Sequence, residues 1–132
     1  MPSIFTRIIN REIPGRILAE TEDYIAFLDV RPMREGHTLC VPKREVDYYF
    51  DLTEDELAGL ARFSKRVAVA LKKVVPCRRI ATAVLGLEVP HAHLHLVPIE
   101  RERDFGLGQS VTVTDERQDE IMHAVRAALG EG

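Results

Sequence analysis

His91-Ala92-His93-Leu94-His95-Leu96-Val97 alternates histidine with apolar residues and holds three of the five histidines in the chain. On a β-strand successive side chains point to opposite faces. The pattern therefore predicts a strand whose Ala92, Leu94 and Leu96 enter a core while His91, His93 and His95 line the other face. Neighbours on that face would stand about 6.5–7 Å apart along the strand. Histidine is the side chain whose ordinary titration lies near neutrality, so three on one face point to chemistry rather than to solvation. Two chemistries fit the residues. Alternating imidazoles can share a zinc, copper or nickel ion. They can equally form a nucleophile and acid–base cluster.

The chain around this run reads as an α+β domain. Ser3 is placed to cap a short first helix bearing Ile4, Phe5, Ile8 and Ile9, ended by Pro14-Gly15. Residues 16–20 and 24–29 read as strands joined by a polar turn, and 37–41 as a third strand closed by Pro42. Thr53-Glu54-Asp55-Glu56 spells a capping box. After it, apolar or small residues recur at Leu57, Leu60, Ala61, Ser64, Val67, Ala68, Leu71, Val74 and Val75, the stripe of a long helix that Pro76 stops. Residues 79–85 and 92–99 complete five strands, and a last helix follows Thr114 or Asp115. Short connections favour antiparallel pairing. The expected fold is an antiparallel five-stranded sheet with a long central helix and short terminal helices.

Composition narrows the class. The chain has 132 residues, 45% hydrophobic and 30% charged, with a formal net charge of -3. That is the size and profile of a single soluble globular domain, 1–132. The charge gives no sign of a nucleic-acid partner. No stretch nears the roughly 20 apolar residues of a membrane span, and the start has no signal-peptide pattern, so the cytoplasm is the expected address. Cys40 and Cys77 read as reduced thiols.

The run at 91–97 resembles the signature of the histidine triad family, His-φ-His-φ-His-φ-φ with φ apolar, at every position. Residues 3–14, the stretch Ala26-Phe27-Leu28-Asp29-Val30-Arg31-Pro32 and the stretch Gly36-His37-Thr38-Leu39-Cys40-Val41-Pro42-Lys43 are similar to other family segments, in the same order and spacing over residues 3–99. The resemblance implies a purine nucleoside phosphate ligand. It implies a base pocket of Ile4, Phe5, Ile8 and Val30, with Asp29 accepting from the ribose hydroxyls. His93 would be the nucleophile that forms a nucleotidyl-histidine, flanked by His91 and His95 on the phosphate oxygens. His37 would be structural and His123 an exposed helix residue. A homodimer with joined sheets is implied as well.

The resemblance also shows departures. Many family members bind zinc with a Cys-x-x-Cys near the start and a histidine two residues after Pro-Lys. Here those positions are Ser3, Thr6 and Glu45, so no structural zinc and no cofactor are expected. The segment before the triad, 83–90, is short. Gly86 keeps a backbone amide that can approach phosphate, Leu87 removes a side-chain donor, and Glu88 would repel phosphate if it faced the site. The resemblance thus leaves two expectations: an enzyme acting on nucleoside phosphoramidates or dinucleotides, or a nucleotide-binding module with little turnover.

Overall fold

The computed structural model describes residues 2–130; Met1, Glu131 and Gly132 lie outside the described residues. In chain order the elements are α1 (Ile4–Ile9), β1 (Ile17–Glu20), β2 (Tyr24–Leu28), β3 (Thr38–Pro42), α2 (Glu54–Val74), β4 (Arg79–Ala83), β5 (Leu94–Ile99) and α3 (Asp115–Gly130). The five strands form one antiparallel sheet in the order β1-β2-β3-β5-β4. This is the expected α+β architecture.

Helix ends follow the predicted chemistry. Ser3 Oγ accepts from the Thr6 amide at the start of α1. The Thr53–Glu56 capping box opens α2, which runs to the residue before Val75-Pro76. α1 is shorter than Pro14-Gly15 suggested: it stops at Ile9, and Arg11 turns the chain with φ 62°.

The sheet carries a core on each face. α2 lays Leu60, Phe63, Val67 and Leu71 against Ala26, Leu28, Cys40, Leu94 and Leu96, and α3 adds Ile121 and Val125. Ala92 joins this cluster, so the inward half of the alternation holds. On the opposite face α1 sets Phe5 and Ile8 over Ile25, Phe27, Leu39 and Val41. Fully burying an aliphatic or aromatic side chain contributes about 1.5–3 kcal/mol, so both layers fix the sheet. Gly36 delivers the chain into β3 at φ 90°, where a Cβ would meet Val75 Cγ2 at 2.9 Å.

The strand carrying the triad differs from expectation. β5 begins at Leu94 rather than Ala92, although β3 continues to Pro42. The last β3–β5 partners are Cys40 and Leu94. Pro42 has no N–H to offer a ladder, and Ala92 donates its amide to the Val46 carbonyl at 2.7 Å instead. His91 and His93 therefore sit on a segment that has left the sheet, and His95 sits within it. Similarly, β4 ends at Ala83 rather than Leu85. No helix among the described residues is long and apolar enough to cross a membrane.

Candidate active site

Each triad ring is held by a different kind of partner, and the partners assign its protons. A carbonyl oxygen only accepts. His91 Nε2 lies 2.7 Å from the Pro42 carbonyl and so carries a proton. Its Nδ1 is then a bare acceptor, and the Ser3 hydroxyl donates to it at 2.7 Å. His93 Nδ1 lies 2.7 Å from the His91 carbonyl and must donate to it. Its Nε2 is left with the lone pair and has no partner among the described residues.

His95 is fixed through His37. The Met33 amide donates to His37 Nδ1 at 2.9 Å. The proton of neutral His37 is therefore on Nε2, which donates to His95 Nδ1 at 2.9 Å. His95 in turn carries its proton on Nε2. The rings of His93 and His95 are 4.9 Å apart between centroids.

Burial keeps all four rings neutral near pH 7, because desolvation disfavours the charged form. It is the largest influence on His37, His91 and His93, and lowers each below its ordinary 6.5. His95 is pulled down to about 4 by burial and then by His93 and His37. Asp29 Oδ2 stands 3.6 Å from His37 Nε2, but with His37 neutral this is a ring beside a carboxylate and not an ion pair.

Asp29, His37 and His95 bring three ligand-type atoms within 4.8 Å of one another. The hydrogen bonds argue against a metal there. To ligate through Nε2, His37 would need its proton on Nδ1, where it would oppose the Met33 N–H. A hydrogen-bond chain satisfies these groups; a metal would disrupt it.

At the His91 end, the positions associated with zinc in the family resemblance form a hydrogen-bonded clasp. Ser3 N and Thr6 Oγ1 both donate to Glu45 Oε1, at 2.7 and 2.6 Å. These bonds hold the Glu45 carboxyl below the usual carboxylate range. Two neutral hydroxyls are poor substitutes for thiolates as zinc ligands, and His91 Nδ1 already accepts from Ser3. The residues present do not fit zinc.

The structure gathers some of the predicted residues and not others. His93 and Phe5 meet edge to face at 4.9 Å, and Phe5 reaches His91 at 5.8 Å. Ile8 is buried beside Phe5. Ile4 and Val30 are apolar yet 50% and 83% exposed. Asp29 is partly exposed beside His37. Gly86 has φ 72°, and a Cβ there would meet nothing within 4 Å. Glu88 is exposed and makes no hydrogen bond to the triad among the described residues. His91, expected on the phosphate oxygens, is wholly buried with both ring nitrogens engaged. His123 is exposed on α3.

His37 has a closer tie to the triad than the structural role expected of it. The signal was available: period-two alternation puts His37 with Leu39 and Val41, on the histidine face. The Met33 amide and the Pro42 and His91 carbonyls are backbone groups, which residue types do not reveal.

Comparison with known proteins identifies the family and similar folds. The HIT domain family matches residues 10–102. An uncharacterised HIT-like protein of Methanocaldococcus jannaschii is 38% identical over 99 residues, 72% of this chain and 77% of that protein. The adenosine 5′-monophosphoramidase of Schizosaccharomyces pombe is 33% identical over 113 residues, 82% of this chain and 81% of that protein. A hypothetical histidine triad nucleotide-binding protein of Sulfolobus tokodaii strain 7 superposes with TM-score 0.85 at 27% identity, covering 96% of this chain and 91% of that one. The family match spans the triad, and the chain belongs to the histidine triad (HIT) family.

Proposed function

We propose that this protein is a nucleotide hydrolase or nucleotidyl transferase that works at the α-phosphate through a covalent nucleotidyl-histidine on His93. The observation that carries the reading is the His93 Nδ1–H bond to the His91 carbonyl, which leaves an Nε2 lone pair beside the Nε2–H of His95. His93 Nε2 attacks phosphorus, forming a P–N bond as the bond to the leaving group breaks. His95 stays neutral and donates a hydrogen bond from Nε2 to a phosphate oxygen, while the leaving group takes its proton from solvent water. Water then attacks phosphorus, the P–Nε2 bond breaks, and the nucleoside monophosphate leaves as the attacking water gives its proton to solvent. His91 acts as a positioning residue, through its carbonyl.

The substrate class is purine nucleoside phosphoramidates or dinucleotides. Ile4 and Val30 offer apolar surface to a flat base above Phe5 and Ile8, and Asp29 accepts from the ribose. Relatives named as adenosine 5′-monophosphoramidases support this class. The single domain would pair with a second copy through the free edge of β4; a monomer mass by light scattering would refute that pairing. Leu87, 95% exposed, and exposed Glu88 favour one alternative, a nucleotide-binding module with little turnover.

The deciding experiment is hydrolysis of adenosine 5′-phosphoramidate by wild type and His93→Ala, with mass spectrometry of quenched protein. Turnover lost in the variant, with an adenylyl adduct on wild-type His93, is the expected result. Nucleoside monophosphate binding by both proteins without turnover by either selects the binding module.

A further inference from the structure

Loop 29–36 carries two groups that the site depends on, the Asp29 carboxylate and the Met33 amide that orients His37. α3 and its approach grip this loop at three points. Arg117 Nε and Nη2 both donate to Glu35 Oε1, at 2.8 and 2.6 Å. Gln118 Nε2 donates to the Asp29 carbonyl at 3.2 Å. Ahead of the helix, the Val111 amide donates to the Pro32 carbonyl at 2.8 Å.

Gln118 is the informative member. It is 5% exposed, and its Oε1 has no partner among the described residues. A buried amide oxygen without a partner is unfavourable, and an apolar side chain would avoid it. What the glutamine contributes is the bond to Asp29. The Asp29 amide already donates to the His37 carbonyl at 3.0 Å, so the residue is held from β3 on one side and from α3 on the other. Its carboxylate is oriented within the loop by the Arg31 amide at 2.9 Å.

We propose that α3 sets the ribose selectivity of this site, with Gln118 and the Arg117–Glu35 pair as positioning residues that fix where Asp29 presents its carboxylate. The inference rests on the reading of Asp29 as the ribose acceptor. Without Gln118 the Asp29 carbonyl loses its tie to α3, and the carboxylate no longer meets the two ribose hydroxyls in register. The contacts of α1 with the base and of the triad with phosphate, made by other elements, are unaffected.

The test is calorimetric binding of adenosine 5′-monophosphate and its 2′,3′-dideoxy analogue to wild type, Gln118→Met and Arg117→Ala. Gln118→Met keeps length and removes the unpartnered oxygen; Arg117→Ala changes a half-exposed side chain and serves if the first variant folds poorly. Wild type should prefer the ribonucleotide about tenfold or more, as expected for hydrogen bonds to a charged group. Gln118→Met should cut that preference about threefold or more with dideoxy affinity unchanged, and Arg117→Ala should cut it less. No preference in wild type overturns the ribose reading of Asp29 itself. A wild-type preference that both variants keep, or equal loss for both ligands, overturns the role of α3.

Discussion

The two ends of the triad solve the same problem with different materials. At the His91 end the chain has left the sheet, and two main-chain carbonyls and the Ser3 hydroxyl hold the rings. At the His95 end the chain is in the ladder, and another histidine holds the ring. Identical side chains two residues apart thus acquire opposite proton placements. His93 is protonated on Nδ1 and presents a lone pair at Nε2, whereas His95 is protonated on Nε2. A carbonyl fixes a tautomer permanently, because it cannot donate. A histidine partner fixes it conditionally, because His37 keeps its own assignment only while the Met33 amide points at it.

That contrast can be broken by substitution. The largest effect after loss of the nucleophile is expected at His37. His37→Asn removes the donor to His95 and should lower kcat about 10–100-fold with little change in KM. Nitrogen NMR should show His95 losing its fixed Nε2–H form; an unchanged His95 signal and unchanged kcat would leave the His37 link without function. Ser3→Ala probes the other end. It removes the helix cap and strands His91 Nδ1 without a donor, and should cost about 1–3 kcal/mol of stability in urea titration. Its effect on kcat should be smaller than that of His37→Asn, since Pro42 still orients His91. A loss of rate equal to that of His37→Asn would erase the distinction between the ends.

Acid sharpens the comparison further. His95 falls from 6.5 unfolded to about 4 folded, so in that window the unfolded chain binds more protons than the native one. Stability should rise with pH between about 4 and 6.5 and level off above. His37, His91 and His93, lowered in the same direction, act in the same sense. In His37→Asn, a lessened acid slope in denaturant midpoints is expected, because one buried neutral histidine is gone; an unaltered slope would mean that the rings are not buried neutral. The smallest effect is expected at Glu88, an exposed charge screened by solvent. Glu88→Gln should tighten monophosphate binding by about threefold or less, and calorimetry showing no change at low salt would place Glu88 away from the phosphate.

Much of this was readable from residue types. Alternation at 91–97 separated Ala92, Leu94 and Leu96 from the histidines, and Thr53-x-x-Glu56 located the start of α2. What was not readable depended on the main chain. Treating 92–99 as one strand made His91, His93 and His95 equivalent on one face. The ladder stops at Leu94 because Val46, which lies far away in sequence, takes the Ala92 amide. Likewise, Ser3, Thr6 and Glu45 were identified by the cysteines and histidine they are not, while the bonds among them depend on α1 packing over the sheet. His37 lay within reach of pattern reasoning, but pairing it with His95 required the β3–β5 register.

The clasp of Ser3, Thr6, Glu45 and His91 has a practical consequence. An oxidant that would pair or over-oxidise thiolates finds no sulfur there, since Cys40 is buried with its thiol pushed up to about 12 and belongs to the other face. A chelator finds hydroxyls and a carboxylate already committed to hydrogen bonds. The shape of the histidine cluster therefore depends on folding, and its response to peroxide or chelator should follow the stability of α1 against the sheet.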